Sequence, residues 1–318
     1  METIGNPILW AGFAGLVTAA LLVDLVLMRH GGDHKVTFRE AALWSAGWVG
    51  LALIFNGGLW WYLRETADVV LANRVALEFL TGYLVEKSLA VDNIFVFLML
   101  FMYFAVPEEQ RQRALVLGVL GAIVLRGVMI FAGAVLLTKF HWLLYVFGAF
   151  LLLTGVKMWI AAGQEPDLEK NPVLRWMRRH LPLTPTYHGH AMTWREHGKR
   201  LYTPLFVVVV MIGITDVIFA VDSIPAIFAI TTDPFIVLTS NVFAVLGLRA
   251  MYFLLAGMAG RFHLLPYGLA VVLGFIGVKM LLIDVVKIPV LASLAVVAAI
   301  LAVTVVLSLR RPAHVEAQ

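Results

Sequence analysis

The feature that most limits this chain is a succession of apolar runs, each long enough to cross a bilayer. About 20 apolar residues in a helix cover the ~30 Å hydrocarbon core. Nine such runs can be read: Pro7–Met28, Ala41–Leu63, Val75–Phe104, Ala114–Leu137, His141–Ala162, Leu201–Ile230, Phe235–Ala259, Leu264–Ile283 and Ile288–Leu309. They take up most of the 318 residues. Hydrophobic residues make up 61% of the chain and charged residues 14%, against roughly 45–50% and 25% in a soluble domain. No soluble globule of this size hides so much apolar surface, whereas lipid is a solvent for it. The expected fold is all-α, a polytopic transmembrane bundle of about nine helices. The chain has no cysteine, which excludes a disulfide, a thiolate metal site and a Cys nucleophile. A net charge of +4 in such a protein reports basic cytoplasmic loops, not a nucleic-acid partner.

Loop charge sets an expected orientation. With the N-terminus outside, the inner segments carry fifteen Lys and Arg and the outer loops four. The positive-inside rule then favours N-out and C-in; the membrane expected is a bacterial-type inner membrane. The first run lacks a basic n-region and is read as a span, not a cleaved signal. The longest inner loop, 163–200, holds Pro166, Pro172, Pro182 and Pro185, which argue against a packed domain there.

Charged residues recur in register between the two halves. Glu86-Lys-Ser-Leu-Ala-Val-Asp92-Asn93 answers Asp216-Val-Ile-Phe-Ala-Val-Asp222-Ser223 at an offset of 130. Leu125-Arg126 answers Leu248-Arg249 at 123, and Gly155-Val-Lys157-Met158 answers Gly277-Val-Lys279-Met280 at 122. Each unit has three helices. An odd number inverts the second copy, which predicts an inverted-topology repeat, the architecture of many secondary transporters. The organisation read from this is two helices in 1–63, a first repeat in 75–162 and an inner loop in 163–200. A second repeat follows in 201–283 and a last helix in 288–309.

Glu86, Asp92, Asp216, Asp222, Arg126 and Arg249 all lie well inside spans. Each would cost at least ~2.5–3.5 kcal/mol facing lipid at the bilayer centre, so they must face the bundle interior and find partners. The two arginines read as structural counter-charges to the acids. Four carboxylates and two guanidiniums leave −2, which suits a divalent cation, with Lys87 able to offset part of it. Oxygen-only donors favour Mn²⁺, Mg²⁺ or Ca²⁺ over Zn²⁺. Acids six residues apart sit about 120° apart on a helix, so a shared site requires a bend between them. Pro225 and the potential N-cap Ser223 predict such a break in the sixth run, and by symmetry in the third. Asn93 and Ser223 could add neutral oxygens. Asp24, Asn56 and Asn241 are weaker candidates, the asparagines mainly for helix–helix hydrogen bonds. Lys157 and Lys279 can snorkel. Tyr187-His188-Gly189-His190 suggests a metal motif but reads better as a solvated loop. No Walker A loop, HExxH or nucleophile elbow is present, so no enzyme and no permanently bound cofactor are expected.

At Glu86–Phe97 (EKSLAVDNIFVF) and Asp216–Thr231 (DVIFAVDSIPAIFAIT) the chain resembles the TerC family, most closely its Alx-like branch. The likeness covers nearly the whole chain, including Thr239–Gly257 (TSNVFAVLGLRAMYFLLAG). It implies a multi-pass membrane protein related to the LysE transporter superfamily, with links to tellurite resistance and manganese efflux. It also implies that Glu86, Asp92, Asp216 and Asp222 are the functional acids. Many members carry a Glu three residues before the second-motif Asp, where this chain has Gly213, so the resemblance implies one charge fewer here. The function expected is export of a divalent cation, most simply Mn²⁺, from the cytoplasm. The alternative is a non-transporting scaffold for protein insertion or metalation, working through the basic loop Lys170–Arg200.

Overall fold

The computed structural model describes residues 3–30, 37–140, 142–162, 169, 171–189, 191–196, 199–256, 263–286 and 288–310. Each of the nine apolar runs falls on a helix or helix pair. In chain order these are α1 (Pro7–His30), α2 (Phe38–Thr66), α3 (Val69–Tyr103), α4 (Glu108–Lys139) and α5 (Leu143–Ala161). A short α6 (Pro172–His180) and a hairpin, β1 (Thr193–Glu196) with β2 (Lys199–Tyr202), come next. The last are α7 (Pro204–Phe228), α8 (Pro234–Val245), α9 (Leu248–Ala256), α10 (Leu265–Leu281) and α11 (Val290–Arg310). The fold is all-α and polytopic. Six helices are long and apolar enough to span on their own: α1, α2, α4, α5, α7 and α11. The bent pair α8–α9 makes a seventh if it is one span. α3 has 35 residues but carries Glu86, Lys87 and Asp92, and α10 has 17.

Local sequence explains where the helices begin. Asp68 accepts from Leu71 N at 2.8 Å to open α3. Thr203 caps α7 and Asp233 accepts from Phe235 N at 2.8 Å to open α8. Pro204 and Pro234 follow their caps at the first turn, where a missing N–H costs nothing. The bundle is built around α3, which packs on α2, α7, α8 and α11, while α4 packs on α7 and α5 on α10. The α5–α10 contact depends on glycine. A Cβ at Gly148 would lie 3.1 Å from the Gly277 carbonyl, and one at Gly155 would lie 2.9 Å from the Ala270 carbonyl. Such close backbone approach is how membrane helices gain packing energy without a hydrophobic drive. Large apolar side chains such as Leu43, Val70 and Leu153 are exposed around the outside, as a lipid-facing surface requires.

Two sequence expectations need correction. First, the helix break lies elsewhere. α3 runs unbroken through Glu86 and Asp92, and α7 through Asp216 and Asp222. Pro225 falls in the last turn of α7, where losing the bond to Val221 leaves little helix to disrupt, and Ser223 is inside the helix instead of capping one. The break occurs between α8 and α9, which meet at 40°, around Gly247 at φ +83°. Second, the described residues of the 163–200 segment form more secondary structure than their prolines suggested. α6 buries Leu174 and Met177 against the bundle end, and the hairpin is tied in by Thr184 N donating to Tyr202 O at 2.9 Å.

Candidate functional site

The site is centred on one side chain. Arg126, from the middle of α4, is 1% exposed and is the largest fully buried side chain among the described residues. Its guanidinium is planar, cannot deprotonate in a protein and presents a fixed fork of donors. That fork is used on three helices. Nε donates to Asp216 Oδ2 at 3.2 Å and Nη2 to Asp216 Oδ1 at 2.9 Å, a bidentate grip on α7. Nη1 donates to Glu86 Oε1 on α3 and to Asn241 Oδ1 on α8 at 3.2 Å. Glu86 and Asp216 are 0% and 1% exposed. The two carboxylates at matching motif positions therefore converge on one cation. Two negative charges and one positive leave this cluster at −1.

Several buried polar atoms around the motifs have no hydrogen-bond partner: Glu86 Oε2, Asn93 Oδ1, Ser223 Oγ and Asn241 Nδ2. Buried polar atoms are nearly always satisfied, so each one needs an explanation. Three of the four are oxygens. Asn93 and Ser223 are themselves matching motif positions, one on α3 and one on α7.

Lys87 turns away from the acid beside it. Its Nζ donates to Ala244 O at 3.1 Å and to Leu246 O at 3.3 Å. Those carbonyls belong to the frayed end of α8, where the last turn has no helical N–H to accept. The ammonium thus caps the break and complements the negative end of the α8 dipole. It does not offset Glu86 directly.

A profile for the "Integral membrane protein TerC family" matches residues 71–315. The chain belongs to the TerC family. Relatives from Salmonella typhi and Escherichia coli K12 are 58% and 56% identical over 308 residues, 97% of this chain and 96% of theirs. Both bear the provisional name "membrane-bound redox modulator Alx". A Myxococcus xanthus relative, named only as an uncharacterized membrane protein, is 48% identical over 317 residues, 99% of this chain and 97% of its own. No solved structure matches this chain.

The other motif residues of this TerC-family chain are distributed more widely. Asp222 is half-buried and accepts from Thr154 Oγ1 on α5 at 3.2 Å. The side chain of Asp92 lies outside the described part of the structure. Arg249 does not share the Arg126 cluster. Its Nη2 donates to Asp24 Oδ1 on α1 at 2.6 Å, in a pair that is 15% and 19% exposed. Asp24, a weak candidate in the sequence, thus holds the second, partly buried arginine. Asn56 is buried on α2 and its Oδ1 has no partner. Among the described residues, no three His, Asp or Glu side chains gather on a common point. In the segment between α6 and α7, His188 stacks on Trp194 at 4.2 Å, and His190 lies outside the described residues. Sequence reasoning missed two participants, Thr154 and the capping role of Lys87. Lys87 could have been found from the lone Gly247 that follows the apolar run of α8.

Proposed function

We propose that this TerC-family protein is a secondary transporter that exports a hard divalent cation, Mn²⁺ foremost, from the cytoplasm. The observation that carries the reading is the convergence of Glu86 and Asp216, one from each motif, on the single guanidinium of Arg126. Buried acids facing a bundle interior mark ion paths in membrane proteins. Arg126 acts as the resident counter-charge, and an incoming cation competes with it for the two carboxylates. Because the guanidinium keeps its proton, that exchange is a movement of the side chain and not a titration. Glu86 Oε2, Asn93 Oδ1 and Ser223 Oγ offer further oxygens, a donor set suited to Mn²⁺, Mg²⁺ or Ca²⁺. Asp92 and Asp222, each six residues after the first acid of its motif in sequence, complete the proposed set of acids. Loop charges support an N-out, C-in orientation, and the bacterial relatives support a bacterial inner membrane.

The relatives' name concerns redox. With no cysteine, thiol chemistry is closed to this chain, and control of a redox-active metal is a route that remains.

The test is metal flux into proteoliposomes that hold only this protein, across Mn²⁺, Mg²⁺, Ca²⁺ and Zn²⁺. Mn²⁺ should move, and Glu86→Gln and Asp216→Asn should each cut the rate at least tenfold while remaining folded. Absence of flux for every cation would favour the scaffold reading, with the basic 170–200 segment as its surface. Flux indifferent to both variants would place the path elsewhere.

A further inference from the structure

The short helix α6 has two unlike faces. Leu174 and Met177 are 1% and 2% exposed, packed in one cluster with Phe101, Leu205 and Val208 from the adjoining ends of α3 and α7. The other face exposes Arg175, Trp176, Arg178, Arg179 and His180. These five and Pro172 line a groove of about 660 Å³. The helix contains no Asp or Glu. Trp176 is 56% exposed but held, its ring stacked on His180 at 5.1 Å. Arg178 reaches to the end of α3, where Nη2 donates to Tyr103 Oη at 3.1 Å.

These contacts fix the height of the groove. Tyr103 is the last residue of α3, and Pro204, just before Leu205, is the first of α7. α6 therefore lies where two long helices leave the apolar slab, with its apolar side anchored in the bundle. Exposed Trp and Tyr at that level are the usual companions of lipid headgroups. A cluster of arginines there meets phosphate esters, which the guanidinium fork binds in bidentate fashion.

We propose that the exposed face of α6 is a binding site for the phosphate of an anionic glycerophospholipid in the adjoining leaflet. Arg175, Arg178 and Arg179 supply the charge, and Trp176 lies among the glycerol esters. The inference needs only the membrane fold and stands apart from the transport reading. Salt screens the attraction between the exposed guanidiniums and a phosphate, so the affinity should fall as ionic strength rises.

The full-length protein in neutral detergent can be titrated with phosphatidylglycerol, phosphatidylcholine or inorganic phosphate, with bound molecules counted by native mass spectrometry. Phosphatidylglycerol should bind at least tenfold more tightly than phosphatidylcholine. The combined variant Arg175→Gln, Arg178→Gln, Arg179→Gln should lose at least tenfold of that affinity. Inorganic phosphate at equal concentration should not displace the lipid. Equal lipid retention by the variant, no preference over phosphatidylcholine, or displacement by inorganic phosphate would each overturn the proposal. The last outcome would assign the groove to free anions. Should the triple variant fail to fold, Arg179→Gln alone is expected to weaken binding about threefold, and an unchanged affinity there rejects the site. Trp176→Cys gives a single labelling position in this cysteine-free chain. In phosphatidylglycerol nanodiscs, a probe there should be quenched by lipid-soluble reagents more than by aqueous ones. The reverse order would remove α6 from the headgroup layer.

Discussion

Arg126 and Arg249 hold matching places in the two halves of the sequence but differ in surroundings, and the difference sets their expected cost. Truncating Arg126 leaves two carboxylates buried without a cation, and breaking a well-desolvated pair costs ~3–5 kcal/mol. Arg249 and Asp24 retain some contact with their surroundings at 15% and 19% exposure, so water or headgroups can take over part of the role. Arg126→Leu is therefore expected to lower thermal stability in detergent well below Arg249→Leu, and Arg249→Leu below the exposed hairpin substitution Arg195→Leu. An equal loss for the two arginines would contradict the assignment. Arg126→Lys should not rescue, because a point charge cannot hold Asp216 through two parallel bonds. The sequence made the need for counter-charges legible, since six intramembrane charges must find partners. It did not make the pairing legible. Asp24 is on α1, outside the repeated units, and nothing in its local sequence shows that it faces α9.

At the scale of single elements, the break between α8 and α9 is the feature that sequence reasoning placed in the wrong helix. Pro225 was the stronger local signal, but a proline in the last turn removes one bond from a helix that is about to end. Gly247 was the weaker signal, since a lone glycine is tolerated inside helices. Its φ of +83° makes it necessary here, and a Cβ would come within 2.7 Å of the Trp48 ring. Gly247→Ala should cost ~1–2 kcal/mol from the backbone alone and more from the contact with Trp48. Lys87→Met should also destabilise, by ~1.5–3 kcal/mol, as charge-assisted bonds to two carbonyls are lost. Unfolding followed by circular dichroism in detergent checks both, and a neutral Lys87→Met would show that the cap is dispensable. A milder effect belongs to the segment between α6 and α7. Tyr187 Oη donates to Phe104 O at 2.8 Å, and burial pushes its phenol pKa up to about 12. The protonated form is the one favoured by the fold. Its contribution is complete below the ordinary tyrosine pKa near 10 and is lost as pH rises from there to about 12. Proteolytic nicking in 171–200 should increase over that window in the wild type. Tyr187→Phe should lack the step, and an unchanged step would point to another group.

For the molecule as a whole, the helix pairings have a common form. α3 packs on α8, α4 on α7, and α5 on α10. Exchanging α3 with α7, α4 with α8–α9 and α5 with α10 leaves that set unchanged, as a two-fold relation between the sequence repeats would require. The glycine contacts behave the same way: Gly148 meets Gly277, and adding or subtracting the sequence offset of 122 turns this into Ala270 meeting Gly155. The sequence suggests such a relation through charge and glycine positions, which are few and fall in register, while apolar residues interchange freely and obscure it. Two substitutions on one face of α10 should accordingly have opposite signs. A Cβ at Gly277 would lie 2.8 Å from the Gly148 carbonyl, whereas one at Gly274 meets nothing within 4 Å. Gly277→Ala should destabilise the protein. Gly274→Ala should be neutral or stabilising by up to ~1 kcal/mol, the helix-propensity difference. Matching losses in thermal stability would mean that α5 and α10 do not approach as closely as described.

A corridor lined only with carboxylates would conduct any cation that its gradient drives. On the transport reading proposed above, Arg126 changes this, because it is a cation tethered to the wall. No concentration difference can wash it away, so it stands as a stopper that only a competitor for the same two acids can dislodge. It also lightens the return stroke. Each elementary charge carried through the full membrane field is worth ~2.3 kcal/mol per 100 mV. Two bare carboxylates would face about twice that, and the guanidinium halves it. A carrier working as proposed would resist both leak and voltage with one side chain.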